Sequence, residues 1–139
     1  MRNLDEEFEN FFKQTEDESD QSMADLITSL MFSSMAMHIQ HLRATKYSIH
    51  MALGAYYADV VGLIDALAES YQGKFGLISF AANSYSYDTD VAPIEYLTAL
   101  EKKIAYLREQ ILSDSEIENE IDTIVSLINS TLYKLKFLD

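Results

Sequence analysis

Residues 72–93 read QGKFGLISFAANSYSYDTDVAP, and their reading decides how the remaining chain is arranged. Gln72-Gly73-Lys74-Phe75-Gly76 is a helix stop. The residues after Gly76 are mixed in character, with Ser84-Tyr85-Ser86-Tyr87-Asp88 near the end of the interval. Pro93 stands where a first helical turn tolerates it. The interval is too long for a tight turn. It therefore reads as a crossover, with a short helix expected over Leu77–Ala82.

Helical periodicity lies on both sides. Before the crossover, a helix is expected from Ser48 to Gln72, with Leu53, Tyr57, Val60, Ile64, Leu67 and Tyr71 facing inward. An earlier one is expected from Gln21 to Arg43, with Ile27, Leu30, Met31, Met35, His38 and Leu42 as its inner stripe. Ala44-Thr45-Lys46-Tyr47 between them carries no Gly or Pro, so that break is weakly marked. After the crossover, Leu97, Leu100, Ile104, Leu107 and Ile111 alternate at spacings of three and four. Ser115-Glu116-Ile117-Glu118 reads as a capping box opening a last helix. Its inward positions are Ile117, Ile121, Ile124, Ile128, Leu132 and Leu135. Four Gly and one Pro in 139 residues favour long helices over strands. The expected fold is all-α: a four-helix bundle with one long crossover between helices two and three, the topology of ferritin-like bundles.

Residues 1–20 stand apart as an acidic N-terminal arm, leaving 21–139 for the bundle. The arm holds eight acids against Arg2 and Lys13. Leu4, Phe8, Phe11 and Phe12 fall on one face of a short helix. Docking of this stripe on the protein's own bundle is expected ahead of docking on a partner protein. The acidic start is no signal peptide, and no window holds the roughly 18 apolar residues of a membrane span. A soluble, cytoplasmic protein that does not engage a membrane is expected. The absence of Cys excludes disulfides and thiolate metal sites. A net charge of −13 sets the chain against nucleic acid, although an acidic surface also serves plain solubility.

Three His lie close in sequence, at 38, 41 and 50, and Asp65 and Glu69 lie further along. Singly, each reads as an ordinary surface side chain. Together they say more. His38 and His50 are equidistant from residue 44, so an antiparallel helix pair turning there sets them side by side. Asp65 and Glu69 share a helix face. They lie roughly 22 Å along the helix from His50, too far for one chain to bring both pairs to one metal. A two-fold dimer with its axis near residue 59 or 60 does so. Gly54, Ala58 and Gly62, four apart, would let two such helices approach closely, or would ease packing inside the bundle.

The spacing His38-x11-His50-x14-Asp65-x3-Glu69 resembles the ferroxidase motif of Dps-type mini-ferritins, His-x11-His-x3-Asp-x10-Asp-x3-Glu. The resemblance covers residues 21–138. It implies metal ligands His38 and His50 from one subunit, with Asp65 and Glu69 from its two-fold partner. It further implies Fe(II) oxidation by peroxide or oxygen and storage in a dodecameric shell. The departures are specific. Gly54 stands where the family has its first Asp, and Ile39 stands where many members have Trp. The arm is acidic where some members carry a basic, DNA-holding tail. Two imidazoles and two carboxylates suit one Fe, Mn or Zn ion, and a second ion would be poorly held.

The expectation is thus a homo-oligomeric, iron-binding mini-ferritin whose ferroxidase activity is in question because of Gly54. Its alternative is a non-enzymatic protein on the same scaffold, with a degenerate metal site and a partner for the arm. Such a small, divergent, Cys-free chain is equally compatible with a phage origin.

Overall fold

The computed structural model describes residues 3–80 and 90–139, those at 14–16 as backbone only. Four α-helices account for most of them, and no strand occurs among the described residues. The first, α1, runs Leu4–Arg43 over 40 residues. Asn3 caps it by accepting the Asp5 N–H, and Asp5, Glu6 and Glu7 favour its positive N-terminal end. No Gly or Pro lies between Leu4 and Arg43, so nothing breaks the helix at residue 20, where the arm was expected to end. After Ala44-Thr45-Lys46, α2 runs Tyr47–Phe75. It continues past Gln72 through Gly73 and stops at Gly76, whose φ of 99° suits glycine alone.

Leu77–Phe80 are not helical, contrary to the short helix expected over Leu77–Ala82. Gln72 Oε1 accepts the Ile78 N–H and Ile78 is buried, which holds the chain extended against the bundle end. Ala81, Ala82 and the Ser84–Asp88 stretch lie outside the described residues. Helix α3 spans Pro93–Arg108, and α4 spans Ser115–Phe137. The cap of α4 is Asp114, not Ser115: its Oδ1 accepts the Ile117 N–H at 3.1 Å. Glu118 is drawn instead to Ser113 and Arg108.

The helices pack as a ring in which α1 touches α2 and α3, and α4 touches α2 and α3. Cross-links fix the directions. Ser70 Oγ donates to Glu120, so the end of α2 meets the start of α4. Lys103 pairs with Asp25, and Gln40 donates to the Val91 carbonyl, so α3 runs against α1. All four touching pairs are therefore antiparallel, while α2 and α3 run parallel across the diagonal. The end of α2 at Phe75 and the start of α3 at Pro93 therefore lie at opposite ends of the bundle, as a long crossover requires. Met23, Leu26, Ile27, Leu30, Leu53, Val60, Leu67, Leu97, Ile104, Ile117, Ile121 and Ile128 fill the core.

One end is clamped by a short relay. Ser19 Oγ accepts the Leu112 N–H at 2.6 Å and donates to Tyr71 Oη at 2.7 Å, and Tyr71 Oη donates to Asp20 Oδ1 at 2.7 Å. Beyond it the start of α1 leaves the bundle. Leu4, Phe8, Phe11 and Phe12 are each more than 60% exposed, so the arm's stripe does not dock on its own bundle. The helix runs on unbroken to Leu4.

A further correction concerns α1. Ile27 and Leu30 are buried as expected, but Met31, Met35, His38 and Leu42 are exposed. The buried stripe instead continues through Ser33, Ala36 and Met37. By length and composition α2 is apolar enough to cross a membrane, with mean hydropathy 1.4 over its best window, of which only 33% is buried. No uninterrupted run of 18 apolar residues occurs in it, since Asp59, Asp65 and Glu69 interrupt the sequence. Here α2 lies between α1 and α4 in the bundle.

Candidate functional site

The face of the α1–α2 pair turned away from α3 and α4 carries the sequence-predicted residues. Its geometry starts at the turn. Because the link is only Ala44-Thr45-Lys46, His41 and His50 stand opposite one another. Their rings stack at 3.7 Å between centroids, 18° from parallel. Each Nδ1 bonds the other residue's carbonyl: His41 Nδ1 to His50 O at 2.6 Å, and His50 Nδ1 to His41 O at 3.0 Å. A carbonyl only accepts, so both Nδ1 atoms must carry protons. In the neutral rings, Nε2 is then the atom left with a lone pair, as in an imidazole oriented for metal binding.

His38 does not pair with His50 as expected. One helical turn further from the link, it is exposed and stacks on Tyr57 at 3.8 Å with an 8° interplanar angle. His41 meets the edge of Tyr57 at 5.2 Å and lies 6.1 Å from the His38 ring. The three imidazoles and Tyr57 thus form one aromatic cluster between α1 and α2. Ser34 Oγ, donating to the Tyr57 carbonyl at 3.1 Å, holds the two helices in this register.

Gly54 lies beneath the cluster. A Cβ built there would meet His41 Cε1 at 3.0 Å and Nδ1 at 3.2 Å, so the glycine makes room for the ring. Gly62 is different: a Cβ there meets nothing within 4 Å, because its surface is open. Asp65 and Glu69 are exposed on α2, on the helix face that also holds Met51, Ala58 and Gly62. Met31, Met35 and Leu42 of α1 are exposed beside them. Among the described residues, no three His, Asp or Glu side chains converge to hold a metal within one chain. The two histidines and two carboxylates do not meet inside a single copy.

His41 and Tyr57 were missed as members of the site. Their signal was present in the sequence, since 41 and 50 are symmetric about a point between residues 45 and 46, where the turn lies.

Fold and face together define a class: an all-helical four-helix protein whose first two helices expose imidazoles, carboxylates and small apolar residues on one side. The chain belongs to DUF5856, a family of unknown function, whose model matches residues 41–135. That span contains His41, His50, Gly54, Asp65 and Glu69 and begins after His38. No curated protein and no solved structure matches the chain.

Proposed function

We propose that this chain is a ferritin-like protein of the Dps mini-ferritin type, which binds iron between two copies paired across the α1–α2 face. The observation that carries the reading is the exposure of His38, Asp65 and Glu69 on the same face as Ala58 and Gly62, with no complete ligand set inside one copy among the described residues. On this reading, two-fold pairing sets the α2 carboxylates of one copy against His38 of α1 and His50 of α2 in the other. The antiparallel ring of helices with its single crossover supports the ferritin-like assignment. Two imidazoles and two carboxylates suit one divalent ion in kind: Nε2 of His38 and of His50, which stand on either side of the His41 ring and which the ion would have to draw together, with the carboxylates of Asp65 and Glu69 from the second copy. Iron would supply the redox chemistry, while the chain fixes ligand geometry and access. Gly54 supplies no ligand, so a second ion beside the first lacks its bridging carboxylate. Fe(II) oxidation on this reading is slow, Mn(II) or Zn(II) competes, and the cytoplasm is the proposed compartment.

The test is anaerobic Fe(II) calorimetry on the wild-type chain and on His38→Ala combined with His50→Ala. Loss of most binding in the double variant is expected. Equal iron uptake by both proteins removes these residues from the site.

A second reading is favoured by Gly54 itself, which serves the packing of His41 where the motif has an acid. On it, the scaffold is non-enzymatic, its metal site is degenerate, and association is its business. Wild-type protein that binds no iron yet dimerises through α2 would decide for it.

A further inference from the structure

We infer that the projecting start of α1 docks, in a second copy of this chain, into the apolar pocket at the far end of the bundle. Two observations meet here. The projecting segment presents Leu4, Phe8, Phe11 and Phe12, all exposed, in a frame of Asp5, Glu6, Glu7 and Glu9. This is the pattern of a helix that lays anchors at i, i+4 and i+7 into a groove. At the opposite end, where α1 and α4 finish, a pocket of about 290 Å³ is lined by Ile49, Pro93, Ile94 and Leu135. An engineered apolar cavity of roughly 150 Å³ takes a benzene, so this one has room for about two phenyl rings.

Charge selects the occupant. Arg43 lines the pocket, and Lys46, Lys134 and Lys136 flank its lining residues in sequence. Four of the chain's ten basic residues thus gather at this end; Arg43 is paired with Asp90 at 3.5 Å, which leaves Lys46, Lys134 and Lys136 against Glu95 and Asp139. In a chain of net charge −13, most pairs of surfaces repel, and an acidic helix finds its complement here. The contact cannot close within one copy. The arm departs at Ser19 and the pocket begins at Gln40, roughly 30 Å along the same helix. We take the contact as head to tail, each copy's arm in the next copy's pocket, an order that continues into a ring or a filament. It involves neither the α1–α2 face nor a metal, so it stands apart from the function proposed above.

Sedimentation and light scattering on the full chain test it, over a wide concentration range at low and high salt. Four proteins are compared: wild type, Phe8→Glu with Phe12→Glu, Glu6→Lys with Glu7→Lys, and Lys134→Glu with Lys136→Glu. Circular dichroism monitors folding, and all the altered side chains lie on exposed or half-buried positions. The wild type is expected to form species heavier than a dimer that dissociate in salt. Each variant alone should stop at the dimer or monomer. Mixing the Glu6/Glu7 and Lys134/Lys136 variants should restore heavier species. A wild type that never exceeds a dimer, or a Phe8/Phe12 variant with an unchanged mass distribution, overturns the proposal.

Discussion

A methyl group at Gly54 would press on a ring that cannot easily yield. His41 is stacked on His50 and bonded to the His50 carbonyl at 2.6 Å. Gly54→Ala should therefore cost about 1–3 kcal/mol in urea unfolding. Gly54→Asp, which supplies the carboxylate of the Dps-type motif, is expected to weaken Fe(II) binding by dislodging the histidines. Adding His41→Ala to it should recover stability. A Gly54→Asp protein as stable as wild type and tighter for iron would refute this. Two buried tyrosines offer a second comparison. Burial pushes the Tyr56 hydroxyl well above the usual phenol range, against the opposing effect of its hydrogen bond with Ser33. It stays neutral, and Ser33 keeps a partner in the Leu30 carbonyl when Tyr56 becomes Phe. Tyr71→Phe instead strips Asp20 of a donor and Ser19 of an acceptor. Thermal or urea unfolding should show about 1–3 kcal/mol for Tyr71→Phe and less for Tyr56→Phe. The site was half legible at this scale. His38, His50, Asp65 and Glu69 stood out by spacing, but without Gly or Pro to mark the turn, the pairing partner of His50 slipped by one helical turn.

Among the elements, the corner between α3 and α4 is the one most dependent on charge. Burial works to lower the Arg108 pKa, but its bonds to Glu118 and Asp122 outweigh burial and raise it. The same Arg108 bond, with help from Ser113 and against burial, holds the Glu118 carboxyl below its ordinary value. A carboxyl depressed in the fold stabilises above its unfolded pKa and loses that contribution as pH falls through its folded one. Glu118→Gln should thus lower stability at neutral pH, by at most about 1 kcal/mol for so accessible a pair. The difference should vanish in acid, as urea melts at both extremes can show. A gap that persists at the acid extreme would assign the effect to packing. Helix existence was read well from periodicity, yet starts and stops shifted. Asp114 won the α4 cap because its side chain, one residue earlier than Ser115, reaches the Ile117 amide. The arm merged into α1 because charge alone does not end a helix.

At the scale of the molecule, association is the property most open to test. A Cβ added at Gly62 meets no atom within 4 Å, so a larger side chain there has room within its own chain. Gly62→Leu should leave the monomer as stable as wild type or up to about 1 kcal/mol more stable, because leucine favours a helix over glycine, while weakening a dimer formed through α2. Sedimentation at several concentrations, beside a urea melt, separates the two effects. An unchanged dimer would move the interface elsewhere. The ring order of helices was legible because a crossover as long as residues 72–93 must travel. The outward faces were not. An apolar stripe at helical spacing, such as Met31 and Met35 or Phe8 and Phe12, reads alike whether it is buried in its own core or exposed.

The parallel course of α2 and α3 has a kinetic consequence. Each half of the chain is a helical hairpin whose contacts are local, and hairpins of that kind form fast. Contacts between the halves wait until the long connection closes, so its entropy bears on the slow step of folding. A backbone cut between residues 81 and 89 would leave both hairpins whole. Refolding would then become a meeting of two fragments, with a rate that climbs with their concentration.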